Sequence, residues 1–443
     1  MAKVTDKRDD SSTERKTSFF TTLWVCSTYF AEGLPFMIVR IVSSVFFTDI
    51  GAKERYIGYL NFLNTPWNFK FLWAPFLDTI STKRQWLIVM QALISLLTMV
   101  IALACYLIPM GATPDGAAAP YLLFIAVVFA GMGFISATND IAIDAYYLEG
   151  LTDKREQAAY SGYRVLAYRL AMIFARTGLV AFVAYMASRL GGSNKYLPWF
   201  YAFAAGAVTM FLLSLFHALK LPHFEKDRTS IPSNEEIVTT FRRAFTTYLD
   251  QEKILLVLVF IILYKLGDEI LFSMATPFLI RELGVSKDQY AWIGGIVGAG
   301  GTIVGTMLGG WWIKKQGLKK AIWPLTFLMN INIWVYIWLA YAKPDPKTIY
   351  GVTLIASVHG YEQVAAGLGS AALLIYLLGT CKPEFKAAHY AIGSAIMSLG
   401  GTLFGGFGGQ IVEKVGYLNL FIVAFFASIP SMLMLFFVPI KKD

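Results

Sequence analysis

Asn139-Asp140-Ile141-Ala142-Ile143-Asp144 lies near the end of YLLFIAVVFAGMGFISATNDIAIDAYYL, the apolar run from Tyr121 to Leu148. A run of this length is long enough to cross a bilayer as a helix. An ionised side chain in hydrocarbon costs roughly 2.5–3.5 kcal/mol on insertion scales, so such groups face protein or water instead of lipid. Asp140 and Asp144 are four residues apart and share one helix face. That face needs a polar path or a protein partner, and the rest of the chain has to supply it.

Apolar segments of similar length recur from one end of the chain to the other. The composition agrees: 56% of residues are hydrophobic, 15% are charged, and mean hydropathy is +0.56. A soluble domain carries nearer a quarter charged residues. Residues 1–17 read as a solvated tail without the cleavage site of a signal peptide, so the first span is expected to stay in the protein. Twelve helices are expected after it, at about 18–47, 55–77, 85–109, 120–148, 156–188, 196–220, 252–281, 289–313, 320–342, 347–380, 387–412 and 417–440. A span in lipid has to be helical because an open strand edge would leave backbone groups unpaired.

With the N-terminus inside, 23 Lys and Arg fall in inner loops and tails, nine in outer loops and six within the spans, which accounts for all 38. Basic residues concentrate on the cytoplasmic side of membrane proteins, so both termini are expected there. The net charge of +9 is thus a topology signal and not a nucleic-acid footprint. Cys26, Cys105 and Cys381 show no pairing pattern, so neither a disulfide nor a metal site is expected. The loop 221–251 divides the spans six and six. Ile237, Phe241, Ala244, Phe245 and Tyr248 fall there at helical spacing, which predicts an amphipathic helix on the inner membrane face.

An offset of 236 residues brings Glu32 onto Asp268, Gly58 onto Gly294, Lys83 onto Lys319 and Arg84 onto Lys320. This supports a parallel repeat of six helices, the arrangement in which two bundles rock about a central site. The expected fold is an all-α membrane protein: twelve transmembrane helices in two pseudo-symmetric six-helix bundles, residues 18–220 and 252–440. Gly310-Trp311-Trp312-Ile313-Lys314-Lys315-Gln316-Gly317-Leu318-Lys319-Lys320 resembles the signature loop of the major facilitator superfamily, with glycines at the first and eighth positions and a basic end. Its first-half counterpart keeps Asp78, Lys83 and Arg84 but has Ala74 and Ser81 at the glycine positions. An ion pair of Asp78 with the basic loop would have to break as the halves move, which makes Asp78, Lys83, Arg84, Lys319 and Lys320 gating candidates.

In that superfamily the first, fourth, seventh and tenth helices line the cavity. Those expected helices carry all the membrane acids: Glu32; Asp140 and Asp144; Asp268 and Glu269; and Glu362, with His359 and Gln363 close by. The intramembrane bases are Arg40, Lys70, Arg164, Arg169, Arg176 and Lys265, enough to pair almost completely with the six acids. Arg164 with Asp140 or Asp144 reads equally as bundle glue or as part of a site. Arg169, near mid-membrane, reads as an anion contact, since the planar guanidinium binds two oxygens at once. Glu32, Asp268, Glu269, His359 and Glu362 are candidates for proton coupling, against internal salt bridges such as Lys265–Glu269 or Glu32–Arg40. The candidate cavity set is Lys70, Asn139, Asp140, Asp144, Arg164, Arg169, Arg176, Lys265 and Gln363. Gly294, Gly298, Gly301, Gly305 and Gly309, like Gly401, Gly405 and Gly409, lack the strand and spacing of a nucleotide loop. As small-residue stripes they are expected to form a sliding contact with the opposite half.

Four stretches carry a narrower resemblance. They are Tyr29-Phe30-Ala31-Glu32-Gly33-Leu34-Pro35, Lys70-Phe71-Leu72-Trp73-Ala74-Pro75-Phe76-Leu77-Asp78, Ala137-Thr138-Asn139-Asp140-Ile141-Ala142-Ile143-Asp144-Ala145, and Tyr163-Arg164. They are similar to the permease family of AmpG-type muropeptide permeases and acetyl-coenzyme A transporters, with Asn139 where that family commonly has glutamine. The resemblance implies a monomeric secondary transporter in a bacterial cytoplasmic membrane. It implies proton-coupled import of anhydro-muropeptides or a similar anionic conjugate, with no cofactor beyond the proton gradient. A coenzyme A ester or siderophore carrier, or a non-transporting sensor, is the alternative. The chain has no HExxH, no GxSxG and no Cys–His pairing, so no enzyme is expected.

Overall fold

The computed structural model describes residues 8–74, 77, 81–152, 154–191, 194–224 and 234–440, and its regular elements there are all helical. Nine helices among the described residues are long and apolar enough to cross a membrane: Phe19–Ile50, Lys83–Leu107, Ala119–Gly150, Ala159–Arg189, Leu197–Lys220, Lys287–Gln316, Leu318–Ala342, Ile349–Gly379 and Gly408–Met434. They match nine of the twelve expected spans. The other three are helical but interrupted or diluted. The second expected span alternates Glu54–Tyr59, a 3-10 stretch Leu60–Asn64, Thr65–Phe69 and a 3-10 turn Lys70–Leu72. The seventh breaks at Lys265, between Ile254–Tyr264 and Leu266–Pro277. The eleventh, Lys386–Gly406, is continuous, but its glycines and serines dilute its hydropathy.

Among the described residues, four helices widen into π turns, at Ile38–Val42, Phe174–Leu179, Phe278–Glu282 and Ala291–Val297. The first and third follow Pro35 and Pro277, each of which lacks an N–H and crowds the preceding turn. Such turns recur at functional sites. Three of them carry an arginine: Arg40, Arg176 and Arg281.

In the first half of the chain, helix 83–107 packs on 119–150 and 197–220, and helix 8–37 packs on 119–150 and 154–173. In the second half, helix 298–316 runs along 349–379, and 266–277 lies against 386–406 and 408–434. Lipid tails are as apolar as leucine, so close packing, not removal from water, holds such contacts. This corrects the expected role of one glycine stripe. A Cβ on Gly301, Gly305 or Gly309 would collide with the carbonyl oxygen of Gly360, Val364 or Leu368, at 2.8 Å in the first case and 2.9 Å in the last. All three partners are on 349–379, so this stripe closes a contact within the second half. The other stripe divides. Gly401 packs on Glu269, whereas a Cβ on Gly409 would collide with the Glu54 carbonyl, across to the first half.

The expected amphipathic helix is present as Asn234–Leu249, and part of its apolar face meets protein while Phe245 stays exposed. Ala244 and Tyr248 are buried, Tyr248 packs its ring near His389 and Thr247 Oγ1 lies 3.1 Å from His389 Nε2. The side chains of Ile237 and Phe241 lie outside the described residues.

Among the described residues, three ion pairs join the two halves at one end of the molecule: Asp49–Lys287 at 3.0 Å, Glu54–Arg281 at 2.8 Å and Glu413–Arg55 at 2.6 Å. Arg281 also donates to the carbonyls of Phe47 and Thr48. Deeper in, Asn64 donates to Ser398 Oγ at 3.0 Å and Asn68 to Thr402 Oγ1 at 2.9 Å.

Candidate functional site

The candidate residues fall into two groups. The first surrounds the aspartates of helix 119–150. Trp67 Nε1 donates to Asp140 Oδ2 at 2.9 Å, and Lys70 Nζ lies 3.6 Å from the same oxygen. The 3-10 turn at Lys70–Leu72 packs beside this helix, which is how Lys70 reaches it. One turn further on, Asp144 Oδ1 accepts from Tyr29 at 2.7 Å and from Arg164 at 2.9 Å. The Arg164 guanidinium lies 4.4 Å from the Tyr29 ring centroid and 4.6 Å from that of Tyr147. Asn139 donates to the Ala31 carbonyl and so ties this helix to the first. Glu32 lies among these charges, with Asp140, Asp144, Lys70 and Arg164 as neighbours, and its Oε2 is buried without a hydrogen bond.

The second group lines a cavity of about 230 Å³ between the halves. The second half contributes Lys265, Asp268, Glu269, His359 and Gln363, and the first contributes Arg40 and Arg176. The helix break puts Lys265 Nζ 3.7 Å from Asp268 and 4.0 Å from Glu269. Asp268 and Glu362 are both buried and within hydrogen-bonding reach of each other. His359 Nδ1 is 2.7 Å from the Tyr336 hydroxyl, and its Nε2 has no partner. Gln363 Oε1 accepts from Thr302 at 2.6 Å.

Pairing is therefore less complete than the composition suggests. Lys70, Arg164 and Lys265 have carboxylate partners, whereas Arg40, Arg169 and Arg176 have none among the described residues. Arg40 lies over the ring of Phe36, and Glu32 is not its partner. Arg169 sits 3.5 Å from the Met172 sulfur and outside the cavity lining. Arg176 Nε is buried and unbonded. The sequence places Arg40 among the membrane bases but not in the candidate site. The signal that would include it is its position five residues after Pro35, where the helix widens.

The gating candidates also separate. Arg84 donates to the carbonyls of Leu221, His217 and Ala218, capping the end of helix 197–220 in its own half. Lys83 is buried, Lys319 and Lys320 are exposed, and Asp78 lies outside the described residues. A larger hollow of about 420 Å³, lined by Asp250, Lys253, Tyr376 and Lys382, lies away from both charged groups.

Comparison with known proteins agrees with this architecture. The chain is 28% identical over 443 residues to an uncharacterized protein of Haemophilus influenzae, covering 96% of each. It is 27% identical over 416 residues to the anhydromuropeptide permease of Escherichia coli K12, covering 92% of this chain and 77% of that one. Among solved structures, a bacterial homolog of the human lysosomal transporter Spinster, inward-facing and unoccupied, matches with a TM-score of 0.68 at 14% identity, over 95% of this chain and 94% of that one. A D-xylose–proton symporter matches at 0.66 and 16% identity, over 95% and 98%. The family model described as Major Facilitator Superfamily matches residues 25–362 and 257–443. The chain is a multi-pass membrane transporter for a small molecule, and it belongs to the Major Facilitator Superfamily.

Proposed function

We propose that this transporter imports peptidoglycan fragments, anhydro-muropeptides or a closely similar anionic conjugate, together with protons, across the cytoplasmic membrane of a bacterium. The observation that carries the reading is the similarity over nearly the whole chain to a protein named anhydromuropeptide permease. The names of the relatives described above do not favour a coenzyme A ester or a siderophore. We take the working form to be a monomer of twelve spans in two six-helix bundles, 18–220 and 252–440, joined by 221–251, with both termini cytoplasmic. The ion pairs at Asp49, Glu54 and Arg55 then close the outer end. Asp268 and Glu362 are the preferred proton carriers. Two buried carboxyl groups this close relieve their repulsion by sharing a proton, and Lys265 can exchange partners between Asp268 and Glu269 as that proton moves. Glu32 offers a second carboxyl among charged neighbours.

The test is uptake of labelled anhydro-muropeptide into proteoliposomes. Accumulation is expected only with an inward proton gradient and should collapse with a protonophore. Asp268→Asn should abolish accumulation while leaving exchange of internal for external substrate. Uptake indifferent to the gradient would rule out the coupling, and no uptake under any gradient would rule out the cargo.

A further inference from the structure

We infer that Arg40 and Arg176 form a clamp for one carboxylate group of the cargo, facing the proton-carrying wall of the same cavity. The inference rests on the transporter reading and specifies the part of the cargo that is recognised.

Both arginines sit in π turns, Ile38–Val42 and Phe174–Leu179, and these turns pack against each other. Both line the cavity, and neither has a carboxylate partner among the described residues. The groups facing them sharpen the point. Arg40 has the Lys265 ammonium as a charged neighbour, and Arg176 has the His359 imidazole beside it. Like charges across a cavity of about 230 Å³ repel unless an anion lies between them. Arg176 Nε and His359 Nε2 are both buried without a hydrogen-bond partner. A buried polar atom left unpaired is costly, so both are available to a ligand.

Charge balance selects the kind of anion. Arg40, Arg176 and Lys265 line the cavity with Asp268 and Glu269. With one proton shared between Asp268 and Glu362, three cations face two negative charges. A single carboxylate completes the balance, whereas a doubly charged phosphate overshoots it against two acids. The guanidinium fork matches the two oxygens of a carboxylate. The cavity is also smaller than the 300 Å³ at which drug-sized sites roughly begin, so it suits one end of a large conjugate.

The test uses purified full-length protein in detergent and two probes that differ in the charge and one methyl group of the lactyl arm, N-acetylmuramic acid and its methyl ester, titrated by calorimetry. The acid should bind at least about tenfold tighter than the ester, one carboxylate contact being worth that much. Arg40→Gln and Arg176→Gln should each cut the preference several-fold, and the double variant should remove it. Arg189→Gln, at an exposed helix end, should keep it. Equal binding of acid and ester to the unaltered protein, binding of neither, or a preference surviving in the double variant would each overturn the clamp. The acid–ester comparison within the unaltered protein does not depend on any variant folding. A clear acid preference without muropeptide uptake in liposomes would remove the proposed cargo and leave the clamp standing.

Discussion

The charges around Asp140 and those around Arg176 are both within the membrane-spanning helices, yet they are built differently. Asp140 holds Trp67 and Lys70, and Asp144 holds Tyr29 and Arg164, so each carboxylate is tied to two neighbouring groups. Arg40 and Arg176 have no ion partner among the described residues and border a cavity. On the reading proposed above, charge of the first kind binds helices together within one half, and charge of the second kind receives the cargo. Both kinds look alike as ionisable residues in an apolar run, and only the partners separate them.

The largest expected effect lies on the unpaired side. Replacing both Arg40 and Arg176 by glutamine should lower uptake at limiting substrate on the order of 100-fold, since removing a desolvated charge partner costs about 2–5 kcal/mol. The melting temperature should change little, because no internal ion pair is lost. Next comes Asp140→Ala, which strands the Trp67 N–H and Lys70. Lys70 is about a third exposed, at 35%, so the cost should fall at the lower end for broken pairs, about 2–3 kcal/mol. Adding Lys70→Met should recover part of that loss in thermal melting. Arg281→Ala should have a smaller effect of a different kind, loosening the end where the halves meet. Spin labels placed across that end should report a larger separated population. Arg55→Gln, at an exposed pair, should leave melting unchanged while adding slightly to that population.

Much of this is legible in the sequence because lipid imposes a length and a polarity on each span. The apolar runs put helix 119–150 at 120–148 and helix 349–379 at 347–380. Pairing is only partly readable: depth leaves Arg164 between Asp140 and Asp144, where the structure chooses Asp144, and i to i+4 spacing points Lys265 at Glu269, 4.0 Å away, while Asp268 is nearer at 3.7 Å. What escapes depends on direction about a helix axis. The glycine stripe of 298–316 has the same spacing whether it faces helix 349–379 or the other half. Arg40 is eight residues from Glu32, about 12 Å along a helix axis, and the structure lays it over the Phe36 ring instead. The apolar face of 234–249 reads as lipid-facing because its spacing does not say that Ala244 and Tyr248 are covered by protein, where the helix meets 386–406.

The most direct test of the division between paired and unpaired charge compares Arg164→Gln with Arg176→Gln, measuring melting temperature and gradient-driven uptake on the same preparations. The account predicts that Arg164→Gln lowers the melting temperature, and that Arg176→Gln leaves it nearly unchanged while removing most uptake. If Arg176→Gln transports normally, or if it melts as early as Arg164→Gln, the unpaired arginine belongs to the scaffold and the account is contradicted.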